Sequence, residues 1–378
     1  MSTTYSTHAY TPGLRVCWCT SVRKERRLPL PGEVLVRKGQ TVSQDQIVAR
    51  TEVPGEVQIV NAASLLEIEP EELERCMLKK VGEMVEKDEI IAFRKGFFGL
   101  TKKYVKSPIR GKIEYFSGTT GNVSIRAEPT KIEIDAYIPG NVVETLSNEA
   151  VVIETKAALI EGIFGIGGER KGEIYIGVED PSEEISPENV NERCRGKIVV
   201  GGSTASFEAI KRAADFGARG LIVGGLEFKQ IKEILGYEIG VAITGHENLS
   251  LTIILTEGFG RLEMAKKTFN ILKTFEGYNA SINGATQIRA GVIRPEIIIP
   301  LQKEECREEA EILSSSLKPG TKVRVIRHPY FGCLGRVVDL PIEIDCVEAE
   351  CQVRVAVVEL QNGRKVKVPR ANIELFDW

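Results

Sequence analysis

Four short clusters combine small turn residues with groups able to bind or react. They are Gly201-Gly202-Ser203-Thr204, Gly224-Gly225, Thr244-Gly245-His246-Glu247 and Thr256-Glu257-Gly258. His246 and Glu247 offer an imidazole and a carboxylate, the groups of a general base or of a metal ligand. Ser203 or Thr204 could cap a following helix, whose N-terminus holds anions. Together Ser203, Thr204, His246 and Glu247 define a candidate ligand crevice. Against it, the chain has no GxGxxG after a strand, no GxxxxGK[ST], no GxSxG and no second His nearby. Gly and Ser/Thr at such turns also serve helix capping and tight loops, and the sequence favours that plainer role. No catalytic residue is assigned, and a binding protein is favoured over an enzyme.

A second chemistry lies in residues 94–112, RKGFFGLTKKYVKSPIRGK. Arg94, Lys95, Lys102, Lys103, Lys106, Arg110 and Lys112 stand there without an intervening acid, and Phe97, Phe98 and Tyr104 are interleaved. Cations for phosphates and rings for stacking make a single-strand nucleic-acid surface. The alternative is a solvated hairpin whose rings enter the core. Arg23, Lys24, Arg26 and Arg27 form a further basic cluster.

The elements that must position these groups change character along the chain. Residues 36–49 (VRKGQTVSQDQIVA) and 79–92 (KKVGEMVEKDEIIA) repeat at a constant offset of 43. Gly39 and Gly82 fit turns with φ > 0, and Asp45 and Asp88 fit the next turn, where a short carboxylate bonds the backbone. Pro/Gly turns follow in 52–57, 107–113 and 137–143, so many short strands are expected. Within 67–80, Pro70 at the start, early glutamates and the late Lys79 and Lys80 predict a helix. The repeated module resembles the barrel-sandwich hybrid fold of biotinyl and lipoyl domains and of their unmodified relatives, which occur in RNA polymerase large subunits and electron-transport subunits. The resemblance spans 28–168. It implies an attachment lysine at a hairpin tip, for which Lys156 is the candidate, although a residue between Thr155 and Lys156 is missing relative to the pattern. An ordinary surface lysine is favoured.

From about residue 172, apolar strands alternate with amphipathic helices, notably 204–217 and 227–236, and an α/β domain with a mainly parallel sheet is expected. Its ligand crevice would lie at the carboxyl ends of the strands. In 282–300, Arg289 and Arg294 stand among small and apolar residues and suit salt bridges at a domain junction. A charged helix is expected in 304–320.

The C-terminal residues carry the sharpest motif. In 318–341, KPGTKVRVIRHPYFGCLGRVVDLP, the residues Gly320, Val323, Val325, Gly332, Gly335 and Val337 resemble the KOW motif, an SH3-like β-barrel element of transcription-elongation factors and ribosomal proteins. Asn362-Gly363 predicts a type I′ hairpin turn. The resemblance implies binding to nucleic acid or to a protein of the gene-expression machinery. Lys322, Arg324, Arg327, Arg336, Arg364, Lys365, Lys367 and Arg370 would contact phosphates, and Tyr330 and Phe331 would stack or anchor. The five acids of 339–350 oppose tight nucleic-acid binding if they share that face.

The expected organisation is an N-terminal extension (1–27), a barrel-sandwich hybrid-like region with a helical insert (28–168), an α/β domain (172–300), a helical linker (301–317) and an SH3-like barrel (318–378). The net charge of −3 excludes a globally basic nucleic-acid binder, leaving local patches. The eight cysteines lack CxxC spacing and suggest reduced thiols, so neither metal nor cofactor is expected. No signal core or spanning stretch is evident, which suggests a cytoplasmic protein without membrane contact. The expected partners are RNA polymerase, ribosome or nucleic acid. The alternative is a metabolic protein whose α/β domain binds a small anionic ligand, with the hybrid region as accessory or carrier.

Overall fold

A computed structural model describes residues 14–95, 102–236, 249–286, 293–306, 317–325, 329–330, 332–341, 344–346 and 352–375. The protein is mostly β, 47% strand and 15% helix, with several sheets, one of them large and mixed. The chain forms two compact units, one of residues 25–136 and 142–153, the other of 1–24, 137–141 and 154–378. The backbone therefore passes between units four times.

In the first unit the repeat extends to single hydrogen bonds. Gln40 N donates to Arg37 O, and Glu83 N to Lys80 O, at 3.0 and 3.1 Å. Arg37 N donates to Gln40 Oε1, and Lys80 N to Glu83 Oε2, at 3.1 and 3.2 Å. Ser43 N donates to Gln46 Oε1 and Glu86 N to Glu89 Oε2. Every partner is shifted by 43 positions, so the two copies fold alike because each stabilises its own turn. Gly39 and Gly82 hold φ of 87° and 93°. Asp88 occupies the left-handed region at φ 66°, while the carboxylate that accepts from the backbone in its turn is that of Glu89. Ile47–Val53 pairs antiparallel with Thr130–Asp135, and Val57–Asn61 with Asn122–Arg126. Leu66, Leu73, Val85, Ile91, Val105, Ile113, Val123 and Ile125 share one buried core.

The helix expected over 67–80 is shorter. A 3-10 turn, Pro70–Glu72, leads into Leu73–Cys76. Met77 then turns extended (ψ 131°) and bridges Ala92. Pairing with a neighbouring strand overrides the local helical preference there.

In the second unit, Glu169–Ile176, Ile198–Val200, Gly220–Leu226 and Thr252–Phe259 run parallel and lie side by side in sequence order. Each crossover moves one strand along the sheet. Phe164–Ile166 closes one side antiparallel to Thr252–Phe259. On the other, Asn279–Asn283, Glu296–Pro300 and the strand Ala150–Glu161 follow antiparallel. All seven residues of Gly220–Leu226 are buried, as a strand covered on both faces requires. The helices Phe207–Asp215 and Phe228–Leu235 form where expected. Their predicted cap does not: the Ser206 side chain, not Ser203 or Thr204, accepts from Ala209 N at 3.1 Å. Residues 237–248, which hold the cluster Thr244-Gly245-His246-Glu247, lie outside the described residues.

Residues 322–375 of the same unit build a six-stranded antiparallel sheet around Val323, Val325, Val337, Ala356, Val358, Val366, Val368 and Ile373. Its hairpin at Asn362-Gly363 differs from the expected type I′ turn, because Asn362 does not adopt a positive φ. Only Gly363 does (78°). Gly363 N bonds Leu360 O at 2.8 Å and Leu360 N bonds Arg364 O at 2.9 Å, which makes a three-residue loop with a glycine bulge.

Cys19 and Cys306, expected as separate reduced thiols, are joined as a disulfide, with Cα atoms 5.3 Å apart. Among the described residues, Cys76, Cys194 and Cys333 are free thiols. No helix among the described residues is long and apolar enough to cross a membrane.

Candidate functional site

The basic stretch forms the hairpin Ile90–Lys95 and Lys102–Lys106. Register places Lys95 opposite Lys102, Arg94 opposite Lys103 and Phe93 opposite Tyr104. The two rings stack at 5.2 Å and 28°, and Tyr104 stays 46% exposed. Like charges directly opposite each other destabilise a strand pair, by up to about 1 kcal/mol. Local groups relieve the inner pair: Lys103 bonds Glu67, and Arg94 Nη1 donates to Leu66 O at 3.0 Å and to Glu67 O. The hydrogen bond and charge of Lys103 hold the Glu67 carboxyl below its ordinary pKa. Lys95 and Lys102 are exposed, and among the described residues no carboxylate pairs with them or with exposed Lys106. Arg110 is exposed between Glu86 and Glu128, at 3.5 and 3.6 Å. Phe97 and Phe98 lie outside the described residues.

The basic cluster at 23–27 is paired throughout. Arg23 bonds Glu154, Lys24 bonds Glu296, Arg26 bonds Asp135 and Arg27 bonds Glu25 and Glu149.

In the C-terminal sheet, register aligns Lys322, Arg336, Glu359 and Lys365 across four strands. Arg336, Lys365 and Lys367 are exposed, and Val366 and Val368 between them are buried, the period of two expected of a half-covered strand. The Arg364 guanidinium sits 5.8 Å over the Tyr330 ring. Arg370 donates to Val355 O and Pro341 O at 3.1 and 2.9 Å, fixing the sheet's own backbone. Arg327 and Phe331 lie outside the described residues.

Arg324 is placed differently from its neighbours. It is fully buried, and its Nε–H donates to Glu374 Oε1 at 2.5 Å. Its Nη1 donates to Glu257 O at 2.7 Å and Thr256 O at 3.4 Å. Arg294, expected at a junction, donates Nη2 to the other oxygen of Glu374 at 2.8 Å. The C-terminal sheet is thus fastened to the end of Thr252–Phe259 by a buried ionic network.

Beside that network opens a cavity of about 870 Å³, lined among others by Thr256, Glu257, Leu262, Met264, Arg324 and Leu334, with Arg261, Lys266 and Lys267 also contributing. Among its buried polar groups, Glu257 is 4% exposed and accepts from Ala265 N at 3.0 Å. Burial pushes the Glu257 carboxyl pKa up, against the opposing pull of the Ala265 N–H and Arg324. Arg261, Lys266 and Lys267 are exposed at its rim together with Glu263, and Arg261 is paired with Glu184 at 3.2 Å. Lys266 begins the helix Lys266–Thr274, whose first turn has no side-chain cap. The cavity therefore sits at the carboxyl end of a parallel strand, where α/β sheets hold ligands.

It forms at Thr256-Glu257-Gly258, one of the four turn clusters, and not at the residues singled out there. Ser203 and Thr204 are buried; Ser203 Oγ donates to Ser182 O at 2.8 Å, and Thr204 pairs with Glu184. His246, Glu247 and Arg289 lie outside the described residues. Lys156 is exposed, but within the twelve-residue strand Ala150–Glu161 and not at a hairpin tip.

Compared with known proteins, the chain matches no family model and no curated protein.

Proposed function

We propose that the protein is a non-catalytic, cytoplasmic adaptor of the transcription or translation machinery that grips single-stranded nucleic acid through its basic patches. The observation that carries the proposal is the hairpin of Lys95 opposite Lys102 beside the stacked Phe93 and Tyr104. A strand pair that keeps two exposed, unpaired cations face to face is suited to a polyanion, and the exposed Tyr104 ring suits a base. Lys322, Arg336 and Lys365, in a row with Glu359, add a second surface with a cationic excess. In this proposal the first unit is a barrel-sandwich hybrid and residues 318–378 are a KOW-type SH3-like barrel, with RNA polymerase or the ribosome as the larger partner. The test is anisotropy of a labelled single-stranded RNA with the full chain across a salt series. Changing Lys95 and Lys102 to Gln is expected to weaken binding and to flatten the slope of log K against log salt by about 0.7 per lost contact. Wild-type protein that does not bind, or a double variant with an unchanged slope, would refute it.

A second function is favoured by the cavity: a metabolic protein that binds a small anionic ligand. Titration calorimetry with inorganic phosphate and with a nucleoside monophosphate tests it. Absence of heat and of thermal stabilisation with both would rule it out.

A further inference from the structure

We propose that Cys19 and Cys306 form a reversible thiol–disulfide site, a redox-sensitive clasp between the N-terminal strand and the segment that leads into the C-terminal sheet. Three observations support it. The two residues are 287 positions apart in sequence, yet their Cα atoms lie 5.3 Å apart, inside the range a disulfide spans. Both are only half-buried, so a small thiol or disulfide can reach them. Their surroundings also hold the site together without the S–S bond. Trp18 Nε1 donates to Glu305 O at 3.3 Å, Tyr278 OH donates to Glu305 Oε1 at 2.6 Å, and Trp18 packs on Phe275 at 5.0 Å.

That last property distinguishes a switch from a staple. A pair brought together only by its covalent bond separates on reduction. Here each neighbour in sequence, Trp18 and Glu305, bonds the other, so the reduced thiols stay adjacent and can close again. The chemistry needs one small disulfide, such as oxidised glutathione. The Cys19 and Cys306 thiols give up two protons and two electrons as one Sγ–Sγ bond forms. The oxidant's own S–S bond takes them up and breaks to two thiols. Closure ties the strand Val16–Arg27 to Cys306, the last described residue before the sequence enters 307–316.

The experiment uses the full chain with Trp378→Phe, so that Trp18 alone reports. The protein is equilibrated in glutathione buffers from reducing to oxidising, trapped with a thiol-reactive polyethylene glycol and mapped by mass spectrometry. Labelled after acid quench and denaturation, all eight thiols react in the reduced form, and oxidation is expected to remove two, joined as one Cys19–Cys306 peptide pair. Cys17→Ser is expected to leave the pair intact, and Cys306→Ser to abolish it. Trp18 emission is expected to rise on reduction as the neighbouring disulfide ceases to quench it, and to fall again on reoxidation. An unchanged thiol count, a bridge through Cys17, or a bond that cannot be re-formed after reduction of the folded protein would each overturn the proposal.

Discussion

Arg324 offers the sharpest quantitative test. Its guanidinium is completely buried and donates to the Glu374 carboxylate and to the carbonyls of Glu257 and Thr256. Arg324→Met keeps an unbranched apolar stem and removes the charge and these donors. Among the described residues, Glu374, itself fully buried, then keeps the cation of Arg294 alone, while two buried carbonyls lose a partner. Breaking a buried ion pair from one side costs about 3–5 kcal/mol, and each buried acceptor left unpaired costs about 1–3 kcal/mol. Because these terms overlap, the expected loss is about 3–5 kcal/mol, or some two to four powers of ten in the local opening constant. A chain of two units does not unfold in one step, so amide hydrogen exchange in Lys322–Val325 and Ile373–Leu375 is the appropriate assay. The double variant Arg324→Met with Glu374→Leu should recover part of the loss, since no buried carboxylate is then stranded. Arg336→Met, at an exposed position of the same sheet, should change exchange little. A loss below about 1 kcal/mol for Arg324→Met would show that the network does not fasten this sheet. So would a double variant worse than the sum of its parts.

Burial raises the Glu257 carboxyl above its unfolded pKa, so its contribution to stability is complete below about pH 4.3 and is lost as pH rises through the folded value. Glu257→Gln should therefore gain stability relative to the parent as pH climbs from about 4; urea titrations at several pH values would show it, and the opposite slope would refute it. A Cβ at Gly224 would lie 2.0 Å from Leu262 O and 2.9 Å from Met264 N. Gly224→Ala should thus cost about 1–3 kcal/mol by overpacking and shift the cavity wall, read as a lowered thermal midpoint; no shift would mean that the 262–264 segment yields freely.

Local signals in the sequence translated well into structure. The offset of 43 reappears hydrogen bond by hydrogen bond, because each turn is closed by residues within four positions of one another. The strand Gly220–Leu226 and the helix after it were legible for the same reason. Errors arose where two local solutions compete. Three hydroxyl residues precede Phe207, and only the backbone path decides that Ser206 is the cap. Asn362-Gly363 suits two hairpin geometries, and the loop takes the one needing a single positive φ. What no local pattern carries is the identity of the neighbour. Alternation in Lys322–Val325 puts Arg324 on the outer face of its strand beside Lys322, yet Glu257 and Glu374 cover it. Cys19 and Cys306 likewise become partners only through the fold.

The repeated passage of the chain between units also has a consequence in time. During synthesis, Lys24 of the strand Val16–Arg27 must wait 272 residues for Glu296, and Cys19 must wait 287 for Cys306. At about 5–20 residues per second, that delay is roughly 15–60 s. Residues 25–153 are all available well before then, so the first unit can close around its own core while the strand that precedes it is still without those partners. The first residues of that strand, VCWC, are apolar, and an open apolar edge is a template for wrong pairing, while the charged residues 23–27 guard the other end. The order of synthesis therefore sets this protein a problem that its finished structure conceals: the strand Val16–Arg27 has to be kept out of trouble until residues 296–306 arrive.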